Sequence, residues 1–217
     1  MKKVLLTVMV LFMAFTALHS QDAGRWSLGL RFGAQIGIHE AQDDFKNWLK
    51  ANNMKDEVMP NPNLVLYGVY GFTNYIGLQT ELNFMFGQGL RGRLDSSAYV
   101  DMTYTSLDIP LLLKVNFLPS QSRFGILAGP YFTTSLGKVS TKYEGFTNSD
   151  EKNNIDAPHF GFAAGFFGGP AMNSGRVVLD LRYIMDFGSS KEKQPNFDFS
   201  FIQRRGIVFT IGIEFSL

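Results

Sequence analysis

Apolar and polar residues alternate along most of this chain. From Trp26 to Ile38, Trp26, Leu28, Leu30, Phe32, Ala34, Ile36 and Ile38 share one parity, and Ser27, Gly29, Arg31, Gly33, Gln35 and Gly37 share the other. Period two over this length predicts a strand with one greasy face and one polar or small face. The longest such unit is a hairpin from Tyr104 to Gly137. In its first arm Thr105, Leu107, Ile109, Leu111, Leu113, Val115 and Phe117 oppose Tyr104, Ser106, Asp108, Pro110, Leu112, Lys114 and Asn116. Residues 118–122 reverse the chain. In the second arm Phe124, Ile126, Ala128, Pro130, Phe132, Thr134 and Leu136 oppose Arg123, Gly125, Leu127, Gly129, Tyr131, Thr133 and Ser135. Each arm has the roughly 9–11 residues that a tilted strand needs to cross a bilayer.

The same alternation predicts strands over 76–88, 159–169, 176–188 and 203–217. A further strand over 64–72 is rich in Tyr and Val, and the pattern does not assign its facing. That makes eight strands. Their connections alternate between long and short: 39–63, 73–75, 89–102, 118–122, 138–157, 169–175 and 189–200. All the long connections therefore fall on one rim. This asymmetry predicts an all-β, eight-stranded antiparallel up-and-down transmembrane β-barrel, with long external loops, short periplasmic turns and both termini in the periplasm. A lipocalin-like soluble barrel needs no such asymmetry and turns its greasy face inward. Here the other face carries too much charge and glycine to hold a lipid.

Composition agrees. Twenty-one Phe, 8 Tyr and 22 Gly suit aromatic-rich strands packed closely in a barrel. No run of eighteen apolar residues follows the amino-terminal segment, so no helical span is expected there. The absence of Cys excludes disulfides, thiolate chemistry and a lipidated amino-terminal Cys. Residues 1–20 have the parts of a signal peptide: Lys2 and Lys3, an apolar stretch from Val4 to Ala17, and Leu18-His19-Ser20 as a cleavage region before Gln21. Residues 21–217 form the barrel domain, and the expected location is the outer membrane of a Gram-negative cell. Without the two leader lysines, 18 basic residues face 19 acidic ones, a balance that gives no attraction to nucleic acid.

The inward parity carries Arg31, Glu81, Asp108, Lys114, Asp180, Arg182, Arg204 and Glu214. An eight-stranded barrel leaves an interior just wide enough for side chains. Unpaired buried charge is expensive, so these ions are expected to pair in a lumenal network that plugs the barrel, with a narrow ion path as the alternative. Pro110 lies mid-strand, where it cannot donate to the ladder; a bulge or a weakly paired stretch is expected beside it, and a second at Pro130. In the first long connection, Phe45, Trp48 and Leu49 are spaced for a short amphipathic helix over the barrel mouth.

Glu81, the stretch from Leu107 through Asp108, Ile109, Pro110, Leu111, Leu112 and Leu113 to Lys114, then Gly129-Pro130-Tyr131, and finally Leu181-Arg182-Tyr183 occur in the order seen in PorT-like outer-membrane β-barrel proteins. The chain resembles that family over nearly its whole mature length. The resemblance implies an eight-stranded barrel and no single activity, one branch being tied to protein secretion. The ending Gly212-Ile213-Glu214-Phe215-Ser216-Leu217 looks like the carboxy-terminal signal read by the barrel-assembly machinery, with Gly212, Phe215 and Leu217 as its key positions and Leu where a terminal Phe is commoner.

His39 and His159 fall at the external rim, near Glu40 and Asp156. Imidazoles with carboxylates suit zinc, but strands one and six are not neighbours, so no metal site is assigned. No Ser/His or Asp/His signature and no phosphate-binding loop is present, and neither catalytic residues nor a cofactor are expected. The expected role is a non-enzymatic scaffold or recognition element acting through external loops. The alternatives are a component of a secretion or assembly machine, a porin-like small-solute pore and a rim hydrolase. Expected partners are outer-membrane lipid, the assembly machinery during biogenesis, and surface or secretion-machine proteins.

Overall fold

The computed structural model describes residues 25–40, 47, 50–51, 55–57, 60–73, 75–94, 98–117, 122–136, 138–144, 151–156, 159–172, 175–187, 190–193, 198–201 and 203–217, with backbone alone at the outer ends of several strands. The amino-terminal segment read as a signal peptide lies outside them, as do Phe45, Trp48 and Leu49 of the expected helix.

Eight long strands close on themselves: β1 (Arg25–Glu40), β2 (Pro60–Gly71), β3 (Ile76–Leu94), β4 (Ala98–Asn116), β5 (Ser122–Ser135), β6 (His159–Met172), β7 (Gly175–Asp186) and β8 (Gln203–Ser216). Each pairs antiparallel with its sequence neighbours, and β8 pairs with β1 to shut the ring. Closure leaves no free edge in the barrel wall, the condition for a sheet to cross a bilayer. Arg25 and Leu217 lie at the end that carries the tight turns between β2 and β3, β4 and β5, and β6 and β7.

Alternation explains the wall. Phe32, Leu64, Leu111, Phe124, Phe166, Leu181 and Phe209 stand exposed on the outer face, while their inward-facing chain neighbours are buried or closely packed. Aromatic rings gather in two belts. Trp26 and Tyr70 at 4.9 Å, and Phe117 and Phe124 at 6.0 Å, lie near the short-turn end. Phe132 and Phe160 at 5.4 Å lie toward the other. Two aromatic girdles bounding an apolar band mark the interfaces of a membrane barrel. The strand left unassigned by sequence, β2, turns Asn61, Asn63, Val65, Tyr67 and Val69 inward and Leu64 and Leu66 outward.

Departures from the sequence reading follow from local geometry, among them short strands at Lys55–Glu57, Ser190–Lys193 and Asp198–Phe201 inside connections expected as loops. Residues 89–102, expected as a polar loop, largely continue the β3–β4 hairpin, which stays paired out to Leu94 and Ala98. Much of the loop expected over 138–157 is also strand: Lys138–Glu144 adds to β4, and Glu151–Asp156 adds to Lys138–Glu144. Polar residues dominate there, and the sequence carries no hydrophobic period. The bulge lies between Met85 and Gln88, where the register slips by one residue and Gly87 takes φ 66°; that left-handed conformation suits glycine. At Pro110 the register holds, with pairing lapsing between Thr80–Leu111 and Asn83–Asp108, which is the weakly paired stretch expected there. On the other side of β4, bridging likewise skips Leu111–Leu112 opposite Gly129–Pro130.

Candidate functional site: the ionic lumen

All eight charged residues expected inside are buried, and so are Arg176 and Asp186. Among the described residues the interior therefore holds five cations and five carboxylates. They gather at three levels along the barrel axis.

The middle level is a quartet from β1, β3 and β7. Arg31 donates to Asp180 Oδ2 and Glu81 Oε1, both at 2.5 Å. Arg182 donates through Nη1 and Nη2 to both oxygens of Glu81 at 2.7 Å, and through Nε and Nη2 to Asp180 at 2.6 and 2.8 Å. Each guanidinium thus joins the same two carboxylates, an arrangement that suits the planar fork of arginine. Gln79 also donates to Glu81. Arg31 stacks over the Tyr67 ring at 4.3 Å.

At the short-turn end, Glu214 accepts from Arg176 and from Lys114 Nζ, the latter at 3.3 Å. Lys114 Nζ lies 4.3 Å from the centre of the Phe167 ring and donates to Gln79 Oε1 at 3.2 Å, linking this level to the quartet. At the opposite end, Arg204 bridges Asp108 at 3.0 Å and Asp186 at 3.3 Å. Tyr131 donates to Asp186, Thr133 donates to Asp108 at 2.5 Å, and Arg204 donates to Gln88 Oε1 at 3.2 Å.

Apolar side chains fill the rest of the section: Met85, Leu112, Leu127, Phe167, Ile184 and Val208 pack as one buried cluster with Tyr131 and Ala163. A low-dielectric lining strengthens the ion pairs and raises the cost of leaving any of them single.

Sequence reading missed three members. Arg176 and Asp186 share the inward parity of β7, so the signal was present. Gln88 is different: simple alternation points it outward, and the bulge at Gly87 turns it into the lumen. Arg204 pairs in register with His39, and Thr133 with His159. The two histidines stand on β1 and β6, which are not adjacent. Phe215 and Leu217 of the expected assembly signal are exposed on the outer face, and Gly212 pairs with Arg31.

Residues 19–192 match the family described as outer membrane protein beta-barrel domain. The chain belongs to that family. It is an integral protein of the bacterial outer membrane, so the short-turn end is periplasmic and the other external. Solved structures agree on the fold. OprG from Pseudomonas aeruginosa aligns with TM-score 0.55 at 13% identity, covering 91% of this chain and 98% of that one. Neisserial surface protein A aligns with TM-score 0.55 at 9% identity, covering 89% and 99%. A major outer membrane protein from Thermus thermophilus aligns with TM-score 0.50 at 12% identity, covering 90% and 100%. A search of curated proteins finds no match.

Proposed function

We propose that this outer-membrane barrel is non-enzymatic, that its lumen is plugged by its own side chains, and that it works as a scaffold or recognition element on the cell surface. The quartet of Arg31, Glu81, Asp180 and Arg182 carries the reading. It reaches across the lumen from three strands, and none of its members is more than 6% exposed. The external surface supports the second half. The β3–β4 hairpin continues outward, and Lys55–Glu57 on one side and Lys138–Glu144, Glu151–Asp156, Ser190–Lys193 and Asp198–Phe201 on the other widen it into a sheet. Segments that extend beyond a rigid scaffold are where binding residues concentrate. Export by an amino-terminal signal peptide over residues 1–20 belongs to the same reading.

Liposome swelling with small sugars tests the plug: vesicles holding the barrel should swell no faster than empty ones, and faster swelling contradicts it. The second reading is a component of a secretion or assembly machine, favoured by the PorT-like stretch from Leu107 to Lys114. Crosslinking in intact cells followed by mild detergent extraction separates the two. Stoichiometric periplasmic partners favour the machine; partners reached only through the external sheet favour recognition.

A further inference from the structure

Beyond the membrane the wall continues as the external sheet, and the two faces of that sheet differ in composition. On β4, Tyr99 and Asp101 keep the parity of Ile109 and Leu111, which are exposed on the lipid face. Register carries that face across the neighbouring strands, because paired residues share a side of the sheet. One row runs Glu57, Arg91, Asp101, Lys142, and the next runs Lys55, Arg93, Tyr99, Glu144. Lys138 pairs with Asn154 and Ser140 with Lys152 on the same face. Lys191 follows beside Asp156 and Ser200, and Lys193 beside Asp198. All eight Lys and Arg of the described external segments therefore lie on the lipid-side face, with five carboxylates. The opposite face carries no cation among the described residues, and takes Leu90, Leu94, Val100, Met102, Phe199 and Phe201.

Height places the basic face against lipid headgroups. Barrel strands tilt by roughly 35–45° and rise about 3.3 Å per residue, so each residue climbs roughly 2.5 Å along the axis. Phe86 is the last exposed apolar residue of β3 before the bulge, and Arg91 lies five residues beyond it. The row of Arg91 thus stands roughly 10 Å above the apolar band, and the row of Gly89 lower still. Headgroups occupy about 5–8 Å beyond the hydrocarbon on each side. Cross-strand pairing of opposite charges neutralises part of the face and leaves a surplus of three positive charges. The cations are spread from Lys55 through the β3–β4 hairpin to Lys193, a distribution that suits a surrounding annulus better than one docked protein.

We propose that the lipid-side face of the external sheet binds phosphate-bearing headgroups of the outer leaflet. The face continues the lipid-facing wall on the same strands, and its sign is complementary to phosphate. Guanidinium and ammonium groups at an anionic membrane surface supply charge-assisted donors to phosphate oxygens. Neither the recognition role nor the state of the lumen bears on this contact.

Native mass spectrometry of the whole barrel, folded in an uncharged detergent and titrated with lipid A, tests it. Phosphorylated lipid A should bind at least ten-fold more tightly than the same lipid stripped of phosphate. Replacing Arg91, Arg93 and Lys142 together by Gln cancels the surplus and should reduce that preference at least five-fold. Glu57→Gln with Asp101→Asn should increase it. Heat-modifiable migration reports folding of each variant; if the triple variant fails to fold, Lys191→Gln with Lys193→Gln carries the test and should weaken the preference at least three-fold. Inorganic phosphate at millimolar concentration should not displace the lipid, and displacement would assign the face to free phosphate and overturn the proposal. A poly-glutamate peptide that binds more tightly than phosphorylated lipid A would assign it to an acidic protein and overturn it too. Equal binding of the two lipids, or a preference kept at full strength by the folded Gln variants, has the same consequence.

Discussion

Gly29 and Tyr67 are register partners on β1 and β2, and the tyrosine ring folds across the glycine so closely that a Cβ at position 29 would stand 2.1 Å from Tyr67 Cζ. Tyr67 in turn supports Arg31, so this glycine indirectly fixes a member of the quartet. An aromatic ring covering a strand glycine is a recurrent device of curved sheets. Gly29→Val should therefore cost about 1–3 kcal/mol through overpacking. Urea titration of the barrel folded in vesicles checks this, and adding Tyr67→Ala should restore part of the loss. No loss on Gly29→Val would contradict the packing described.

Glu81 is the acceptor for both quartet arginines. Glu81→Gln leaves Arg31 and Arg182 facing one carboxylate, Asp180, in a buried site. Removing one partner of a buried ion pair costs about 3–5 kcal/mol. The melting temperature in detergent should fall clearly, with no channel activity gained. An unchanged melting temperature would show that the quartet is solvated.

Leu111 and Leu112 are chain neighbours with opposite fates, one exposed on the outer wall and the other in the lumenal apolar cluster. Leu111→Lys places a charge in hydrocarbon, at a cost of about 2–4 kcal/mol near the bilayer midplane. Folding free energy measured in lipid vesicles should drop by that order. A soluble barrel would show little change at an exposed leucine, so a negligible effect would reverse the assigned facing.

Phe215 and Leu217 present apolar side chains to the outside at the end of the last strand. If the assembly machinery reads them, Phe215→Ser or removal of Leu217 should lower the amount of heat-modifiable barrel in outer-membrane fractions several-fold, while Leu217→Phe should not. Normal levels after both losses would remove these positions from the signal.

The division into strands and the facing of most of them were legible because lipid outside and ions inside impose opposite demands at every second residue. Where the demand lapses, so does legibility. Residues 89–102 leave the membrane band, lose the apolar parity and still largely pair as strand. In β2, Val65, Tyr67 and Val69 are apolar yet inward, which erases the contrast with Leu64 and Leu66. Gln88 was hidden by a bulge that the register slip after Met85 and the φ of Gly87 disclose. Parity assigns a face but not a height, so nothing in the sequence told that Arg31 meets Asp180, 149 positions away, or that Glu214 is shared between Lys114 and Arg176. Strand tilt and stagger set those partners.

Whether water and ions can pass the quartet is decided most directly by single-channel recording of the purified wild-type barrel in planar lipid bilayers. A lumen plugged by its own side chains gives a baseline free of discrete current steps across the voltage range in which the membrane itself is stable. Reproducible ohmic steps from the wild-type protein would show a continuous aqueous path through the lumen and contradict it.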